Sequence, residues 1–464
     1  MTLRTESFEA ASDVPVEAAA LYAWHARPGA FERLTPPWER VRVAARRGGI
    51  EAGDELELHL SKGPLRLTWV ARHLAPVPGE EFSDEQVRGP FAHWVHTHRM
   101  VPVGPGASRL VDHVRYRLPG GRLGLALGGR SARKALERMF RYRHSVTVND
   151  MTRHASFAAE RPLHIVVSGA SGLVGEALVA YLSTAGHRVD RLVRRPNARR
   201  SEGEISWDPA RGTIDAAALE GVDAVVHLAG AGVADGRWTA ARRALIRNSR
   251  VDGTLALATA LAALERPPRV LVAASAIGFY GDRSDAPLDE QSGRGDGFLA
   301  EVVQAWEAAT EPAAAAGVRV VRLRLGVVLS PRGGALAKLL TPFRLGVGGR
   351  IGGGRQWMSW IALDDVLALV EHALFDEGLA GPVNAVAPEP VENRTFTATL
   401  ARVLRRPALL PLPRWAIEAL FGDMGRETLL ASARVLPRAA EARGFRFSWP
   451  TLEPALMHLL GRAA

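Results

Sequence analysis

A glycine-rich turn between an apolar run and an amphipathic segment constrains this chain more than any other feature. Residues 164–175 read HIVVSGASGLVG, with glycines at three-residue spacing. One glycine permits a tight strand-to-helix turn, one lets the backbone approach a diphosphate, and one allows close packing of helix on strand. The N-terminus of the following helix offers free N–H groups and a partial positive charge to phosphates. The pattern predicts dinucleotide binding, and a bare tight turn is the alternative. The predicted contacts in this turn are Gly169, Ser171, Gly172, Leu173, Val174 and Gly175.

The end of the next predicted strand bears on the choice of cofactor. The strand covers residues 187–193 and closes with Arg194 and Arg195, about 20 residues beyond the glycines. An acidic residue there would bind the ribose 2′-hydroxyl of NAD, whereas an arginine suits the extra phosphate of NADP. Asp190 lies in the middle of the strand, too early for that task. We therefore expect NADP, and NAD stays open because arginine is common throughout the chain.

The composition narrows the class of protein. At 464 residues the chain is too long for one core, so roughly two or three domains are expected. The absence of cysteine excludes disulfides, zinc thiolates and a cysteine nucleophile. No run approaches about 18 apolar residues and the N-terminus lacks a basic-then-apolar signal, so we expect no membrane span and a cytoplasmic location. The net charge of +10 is spread along the chain without a basic arm, which argues against nucleic acid as a partner.

Apolar runs alternate with helical patterns after the glycine turn. Strands are predicted at residues 222–228, 269–274 and 318–323, and helices at 239–264 and 298–315. This alternation predicts an α/β fold of the Rossmann type, a doubly wound parallel sheet covered on both faces. Ligands of such sheets bind beyond the carboxyl ends of the strands. Further cofactor contacts are therefore expected at Leu228, Ala229, Gly230, Ala274 and Leu325.

Longer stretches of this region resemble a known family. They read SGASGLVG, HLAGAGVADGRWT, NSRVDGT, SAIGFYGD, GDGFLAEVVQAWE, LRLGVVLSPRGGAL and GGGRQWMSWIALDDV. Together they resemble an extended or atypical short-chain dehydrogenase/reductase, and more narrowly the NADP-binding "epimerase family". The tail GFRFSWPTLEPAL is similar to the short C-terminal domain of that family. The resemblance implies an oxidoreductase or epimerase with a small-molecule substrate, and it does not identify that substrate.

The chain departs from the wider superfamily in its catalytic pattern. Standard members use Tyr-x-x-x-Lys, in which lysine lowers the pKa of the tyrosine that acts as acid and base. Here the corresponding positions hold Phe298 and Val302. Ser275 and Tyr280, which follow a predicted strand, are the remaining candidates for catalysis. A turn cap explains Ser275 equally well, and a packed aromatic explains Tyr280.

Basic and aromatic residues near the predicted strand ends are candidates for substrate binding. Glu307, beside Trp306, is expected to help pack its helix against the sheet rather than to act as a catalytic acid, since an acid on a helix usually lies on a solvated face. A glycine-rich segment at 346–361 is expected to be a lid or binding loop, with a plain connection as the alternative. The candidate substrate-binding residues are Arg237, Trp238, Arg250 and Arg355.

The first 150 residues have a different pattern. Strand-like runs occur at 3–10, 40–46, 55–60, 65–73, 91–101 and 108–117, with one helix after Pro15 and another near 129–150. This order, with phrases such as GPFAHWVHTHRM, resembles the START-like or polyketide-cyclase "helix-grip" family, an α+β fold. The resemblance implies a small hydrophobic ligand. His96 and His98 share one face of a strand, but no third ligand is in view, so no metal is expected.

These observations divide the chain into four segments. We predict a helix-grip domain at 1–150, a linker at 151–162, a Rossmann domain at 163–400 and a small helical C-terminal domain at 401–464. Two functions remain open. One is an NADP-dependent oxidoreductase or epimerase, and the other is a regulatory protein that binds NADP and a hydrophobic ligand without fast chemistry. The sequence does not set the oligomeric state.

Overall fold

The computed structural model describes residues 5–63, 65–194 and 202–463. Its contacts divide the chain into two compact units. The first comprises residues 1–161, 180–186 and 460–464, and the second comprises residues 162–179 and 187–459. None of the helices in the described part of the chain combines the length and the apolar character needed to cross a membrane.

An antiparallel sheet and a long helix form the first unit. Within the described residues the sheet has seven strands in the order β1-β7-β6-β5-β4-β3-β2. The strands are β1 (Glu6–Val14), β2 (Arg40–Arg47), β3 (Glu55–Lys62), β4 (Leu65–His73), β5 (Glu81–Arg88), β6 (His93–Gly104) and β7 (Ala107–Arg117). The helices are α1 (Ala18–Ala26), α2 (Ala30–Leu34) and α3 (Gly121–Ala155).

The long helix α3 packs on the sheet through an aromatic core. Phe140 of α3 is fully buried and lies 5.3 Å from Phe8 of β1 between ring centroids. Trp94 of β6 and Tyr116 of β7 belong to the same buried cluster. A sheet that packs around one long helix confirms the predicted helix-grip class.

Two features of this unit differ from the sequence prediction. Strand β5 was not predicted, because its sequence EFSDEQVR is rich in acidic residues and lacks a clear apolar alternation. The long helix was predicted at 129–150 but extends to residues 121–155. Glycines near its start hid the first turns, since glycine disfavours a helix interior. Its last residues occupy the start of the predicted linker.

A mostly parallel sheet forms the second unit. Its described strands have the order β11-β10-β9-β8-β12-β13-β15-β19, and only β10 and β11 pair antiparallel. The strands of this sheet are β8 (His164–Ser168), β9 (Arg188–Val193), β10 (Glu204–Asp208), β11 (Thr213–Ile214), β12 (Ala224–His227), β13 (Val270–Ala276), β15 (Arg319–Leu325) and β19 (Gly381–Ala385). Further described strands form separate two-stranded sheets: β14 (Pro287–Leu288) with β21 (Arg434–Val435), β16 (Val327–Leu329) with β18 (Trp360–Ala362), and β17 (Trp357–Met358) with β20 (Val391–Glu392).

Helices connect these strands. They are α4 (Leu173–Thr184), α5 (Ala240–Ala262), α6 (Phe298–Ala308), α7 (Glu311–Ala315), α8 (Gly334–Arg344), α9 (Leu363–Phe375), α10 (Asn393–Leu404), α11 (Arg414–Phe421), α12 (Asp423–Gly425), α13 (Arg438–Ala442) and α14 (Leu452–Leu460). The single helix predicted at 298–315 is instead α6 and α7. A turn at residues 309–310 separates them, and Pro312 lies in the first turn of α7, where its missing N–H costs no helical hydrogen bond.

The strand order confirms the predicted Rossmann-type fold. From β8 the chain moves outward through β9 and β10, then returns to the other side of β8 with β12. The direction of winding therefore reverses between β8 and β12. In open parallel sheets the crevice at such a reversal, beyond the carboxyl ends of the strands, is where ligands bind. The turn after β8 lies at this crevice.

Candidate functional site

The glycine turn between β8 and α4 is held by close backbone contacts. Gly169 has a φ of 67°, in the left-handed region that favours glycine. A Cβ there would lie 2.7 Å from the carbonyl carbon of Leu228, at the end of β12. A Cβ on Gly175 would lie 2.2 Å from the carbonyl oxygen of Gly169. These two positions exclude any side chain, so the turn, the helix and the end of β12 form one packed unit.

The middle glycine of the turn is exposed and has one close backbone contact. A Cβ on Gly172 would approach only the carbonyl oxygen of Gly169, at 3.2 Å. Ser171 and Gly172 are exposed, and Leu173 and Val174 at the start of α4 are half-buried. A diphosphate can approach the backbone closely here because Gly172 carries no side chain, and α4 begins at the same point. These residues fit the phosphates of a dinucleotide.

Arg250 of α5 covers the turn after β12. Its Nη1 donates to the carbonyl oxygens of Ala231, at 2.9 Å, and Ile246, at 3.1 Å. Its guanidinium carbon lies 5.1 Å from the ring centroid of Trp306. Burial, with a smaller contribution from Arg242, lowers the pKa of Arg250 to about 10. The side chain is half-buried and remains a cation at neutral pH.

A buried hydrogen-bond chain lies under the turn. Ser168 Oγ is 2.6 Å from His227 Nδ1, and His227 Nε2 is 2.9 Å from Thr254 Oγ1. Trp306 Nε1 donates to the same Thr254 oxygen at 2.9 Å. Ser168 Oγ also accepts from the backbone N–H of Leu228 at 3.1 Å. Burial lowers the pKa of His227 to about 4, so the ring is neutral at pH 7.

Ser275 lies in a polar row across the carboxyl ends of three strands. In the register of the sheet Ser275 of β13 pairs with Arg324 of β15, which pairs with Asn384 of β19. Ser275 Oγ donates to Glu307 Oε1 at 2.6 Å. Arg324 donates from Nε and Nη2 to the two oxygens of Glu307, at 2.8 Å each. Both partners of this ion pair are buried.

Tyr280 completes the same network. Its hydroxyl donates to Asn384 Oδ1 at 2.7 Å and accepts from Arg324 Nη1 at 3.0 Å. The side chain is 0% exposed. Burial raises the pKa of the hydroxyl, and the Arg324 guanidinium offsets part of that shift. Ser275 and Tyr280 are thus brought together through Glu307 and Arg324, in a region closed to solvent.

The other predicted site residues do not belong to one hydrogen-bond network. Ala274, Leu228 and Leu325 lie at the carboxyl ends of their strands as expected. Trp238 is buried and donates from Nε1 to the carbonyl oxygen of Val233 at 2.9 Å. The remaining candidates are half-buried at Ala229 and exposed at Gly230, Arg194, Arg237 and Arg355. Arg195 lies outside the described residues.

The two positions at which the sequence analysis expected the tyrosine and lysine of the superfamily pattern, Phe298 and Val302, are packed apolar residues of α6. Val302 is buried against Trp238, and Phe298 packs on the same tryptophan with ring centroids 5.1 Å apart. The carboxylate of Glu427 accepts hydrogen bonds from the first backbone N–H groups of α6.

Sequence reasoning missed several polar residues of this region. Arg324 and Asn384 were not singled out, and Glu307 was expected to pack its helix against the sheet without its polar partners being identified. One signal was present, because Arg324 interrupts the otherwise apolar strand RVVRLRL. A buried charge requires a partner, and Glu307 supplies it.

The structure adds a third candidate ligand to the histidine pair of the first unit. His96 and His98 were expected to lack a third metal ligand. Asp84 on the unpredicted strand β5 brings a carboxylate oxygen close to both rings, with one ligand atom of each residue within 4.8 Å of the others.

Comparison with known proteins assigns the family. Residues 165–384 match the "NAD dependent epimerase/dehydratase family", residues 412–459 match "Domain of unknown function (DUF1731)", and residues 14–141 match "Polyketide cyclase / dehydrase and lipid transport". Epimerase family protein Mb2239 of Mycobacterium bovis is 43% identical over 292 residues, which are 63% of this chain and 96% of that protein. The fold and site define a dinucleotide-binding protein of the short-chain dehydrogenase/reductase type. The chain belongs to the epimerase family.

Several solved structures resemble the chain, and two of them are at least 34% identical to it. A nucleoside-diphosphate sugar epimerase from Corynebacterium glutamicum has a TM-score of 0.80 and 34% identity, and the match covers 98% of this chain and 90% of that one. The human epimerase family protein SDR39U1 (isoform 2), solved with NADPH, has a TM-score of 0.59 and 35% identity over 64% of this chain and 99% of that one.

We predict that His227 makes the second unit sensitive to acid. Its folded pKa of about 4 lies below the unfolded value of 6.5, so the unfolded chain binds the extra proton between these values. The stability contributed by the neutral ring is complete above pH 6.5 and falls by about 1.4 kcal/mol per pH unit as the pH decreases toward 4. The free energy of unfolding, measured with a denaturant, should therefore decrease from pH 7 to pH 4.5 in the unmodified protein. In His227→Gln this decrease should be smaller by about 2 to 3 kcal/mol.

The control for this experiment is His59→Gln, which removes an exposed histidine. That variant should retain the full pH dependence of the unmodified protein. If the free energy of unfolding of His227→Gln decreased between pH 7 and pH 4.5 as much as that of the unmodified protein, the assignment of a buried neutral ring would be contradicted.

Proposed function

We propose that this protein is an NADP-dependent oxidoreductase of the epimerase type. The observation that carries the proposal is the turn after β8, where Gly169 and Gly175 are closed by backbone contacts and Gly172 alone is open. That pattern suits a diphosphate at the N-terminus of α4. When bound, the nicotinamide of such a cofactor accepts and returns a hydride.

The residue after β9 supports NADP over NAD. Arg194 is exposed at the carboxyl end of the strand, where a 2′-phosphate of the bound cofactor would lie. Asp190, the acidic residue of this strand, is buried and bonded to His164 and Arg188, which leaves it unsuited to bind a ribose. The human relative was solved with NADPH, which agrees with this choice.

We propose a nucleotide sugar or a related phosphorylated compound as the substrate class. The related protein from Corynebacterium glutamicum is named a nucleoside-diphosphate sugar epimerase. Exposed or half-buried guanidinium groups of Arg237, Arg250 and Arg355 are the candidate partners of its phosphates. The buried Trp238 is better suited to hold the loop after β12 in place than to contact a substrate.

The roles of Ser275 and Tyr280 in catalysis follow from their partners. Both hydroxyls are buried, and Tyr280 already engages Asn384 and Arg324. A buried hydroxyl with a raised pKa is a poor proton donor at neutral pH. We propose that the two residues position the backbone of residues 276–281 beside the cofactor site, and direct proton transfer by Tyr280 is the alternative that its substitution tests.

One observation favours a second function. Phe298 and Val302 replace the standard catalytic dyad with packed apolar side chains. A protein that binds NADP without fast turnover would tolerate this replacement, because the glycine turn does not depend on it. The second candidate is therefore a regulatory protein whose ligand is the dinucleotide.

The hydrophobic ligand expected for the first unit remains a proposal. A groove of about 670 Å³ runs between β1 and α3. Its lining mixes the apolar Phe8 and Phe140 with the charged Arg133, Glu137 and Arg141. An amphipathic molecule with an acidic group suits this lining better than a pure hydrocarbon.

The first test of the proposed function concerns the exposed glycine of the turn, Gly172. The Cβ of Gly172→Val would lie 3.2 Å from the carbonyl oxygen of Gly169, a tight contact that needs a small shift of the turn, and the side chain would occupy the position of the diphosphate. Calorimetric titration with NADPH should show at least a hundredfold loss of affinity, or about 2.7 kcal/mol. Gly104→Val in the first unit, where a Cβ meets nothing within 4 Å, is the control and should bind NADPH normally. Retained affinity in folded Gly172→Val would refute the site.

The second prediction concerns cofactor choice. NADPH should bind more tightly than NADH, and Arg194→Ala/Arg195→Ala should reduce that preference roughly ten- to a hundredfold, because charge-assisted contacts to phosphate are strong. The control removes two exposed arginines at the amino ends of β9 and β13, Arg188→Ala/Arg269→Ala, and should keep the preference. Equal affinities for the two cofactors in the unmodified protein would rule out the role of these arginines.

The third prediction separates positioning from proton transfer by Tyr280. Turnover of NADPH or NADP with a panel of nucleotide sugars and carbonyl compounds is measured against pH for the unmodified protein and Tyr280→Phe. If Tyr280 positions the site, the rate falls but the pH profile keeps its shape. If Tyr280 transfers the proton, the limb of the profile that it controls disappears. Binding of NADPH without turnover in both proteins would favour the regulatory function.

A further inference from the structure

The sheet of the first unit brings histidines and carboxylates into one buried row. In the register of the strands, Asp84 of β5 pairs with His96 of β6 on one side and with His73 of β4 on the other. His98 of β6 pairs with Asp112 of β7. Because side chains two residues apart share a face, all five point toward the same side of the sheet. These pairings join residues far apart in the sequence, and the sequence analysis could not predict them because it did not identify β5.

Hydrogen bonds fix the orientation of the His96 ring. Its Nε2 is 2.9 Å from Asp112 Oδ1. Since the carboxylate of Asp112 only accepts, Nε2 carries a proton and Nδ1 is directed away from Asp112. That Nδ1 faces Asp84 Oδ1 at 3.6 Å, which is too long for a hydrogen bond. When Nδ1 carries no proton, it and the carboxylate oxygen can both bind one ion.

The distance between these atoms suits two ligands of one ion. Zinc–nitrogen and zinc–oxygen bonds of about 2.0–2.2 Å at a tetrahedral ion place neighbouring ligand atoms about 3.4 Å apart. The 3.6 Å separation of His96 Nδ1 and Asp84 Oδ1 lies close to that value. A carboxylate that holds the far side of a ligating imidazole, as Asp112 does, is the usual support of a metal-bound histidine.

A nearby imidazole nitrogen lacks a hydrogen bond. His73 Nδ1 is buried with no hydrogen-bond partner among the described residues. His98 Nδ1, by contrast, lies 2.6 Å from Asp112 Oδ1, which directs that side of its ring toward the carboxylate. A buried polar atom without a partner costs about 1–3 kcal/mol, so His73 Nδ1 calls for an additional partner.

The charged groups around the cluster are compatible with a cation. Asp84 and Asp112 supply two carboxylates, and Arg143 of α3 is the cation that acts on both. His144 donates from Nε2 to Asp112 Oδ2 at 2.8 Å and holds that carboxylate in place.

We propose that Asp84, His96 and His98 bind one divalent transition-metal ion of the zinc type. Asp112 orients the two imidazoles, and His144 fixes Asp112. Imidazole nitrogens with a carboxylate oxygen favour Zn²⁺ and its neighbours over Ca²⁺ or Mg²⁺, which prefer oxygen ligands alone. The side chain of Asp84 is 17% exposed, while those of His96 and His98 are 4% and 5% exposed, so the ion enters past Asp84 and a water can complete its coordination.

The test uses the full chain without an affinity tag, freed of metal by a chelator. Zn²⁺ is titrated by calorimetry, and Co²⁺ is titrated with detection of its visible absorption, which reports nitrogen and oxygen coordination. One equivalent of either ion should bind, and Zn²⁺ should raise the melting temperature. Asp84→Asn and His98→Gln should each weaken Zn²⁺ binding at least a hundredfold. Asp112→Asn should weaken it about ten- to a hundredfold, as expected of a residue that orients ligands.

His93→Gln is the matched control, because His93 lies on the same strand and the opposite face. It should bind Zn²⁺ as the unmodified protein does. Near-ultraviolet circular dichroism of the metal-free variants separates loss of binding from loss of folding. Asp84→Asn, at the rim of the cluster, is the variant whose folding the substitution should affect least. The proposal is overturned if no ion binds, if Asp84→Asn and His98→Gln bind Zn²⁺ as tightly as the unmodified protein, or if His93→Gln loses binding equally.

Discussion

Direct backbone packing at the turn after β8 is the constraint on which the nucleotide site depends. The turn lies against the end of β12 so closely that Gly169 admits no Cβ, and α4 lies so close to the turn that Gly175 admits none. These contacts fix the start of α4 relative to two neighbouring strands. They also leave Gly172 as the one glycine of the three that faces outward. A ligand thus meets a preformed backbone surface and need not order it.

Buried polar networks link the strands and helices of the second unit near the carboxyl ends of the sheet. His227 links β8 and β12 to α5, and the ion pair of Arg324 with Glu307 links β15 to α6. Loss of one member of a buried ion pair costs about 3–5 kcal/mol, because the partner remains as an unpaired charge. Such pairs contribute less to net stability than their Coulomb energy suggests, since both charges lose hydration. Their effect here is to fix the carboxyl ends of β13, β15 and β19 in one arrangement.

The first unit uses the same principle in a different geometry. Its sheet encloses an aromatic core at one end and a cluster of histidines and carboxylates beside it. Asp112 receives contacts from three imidazoles, His96, His98 and His144. A carboxylate in this position fixes the orientation of the rings around it. Fixed imidazoles suit a metal site, although the family resemblance associates this interior with hydrophobic ligands.

The sequence by itself determined the features that depend on local pattern. Glycine spacing, apolar runs and helical periodicity gave the Rossmann-type sheet, the helix-grip unit and the family, because these signals act over a few residues. The tertiary structure alone decided which polar residues meet. Glu307 and Arg324 are 17 residues apart, and Tyr280 and Asn384 are 104 apart. Asp84 lies on a strand that its acidic sequence concealed. Strand pairing sets such contacts, and no periodicity within one strand records its partner.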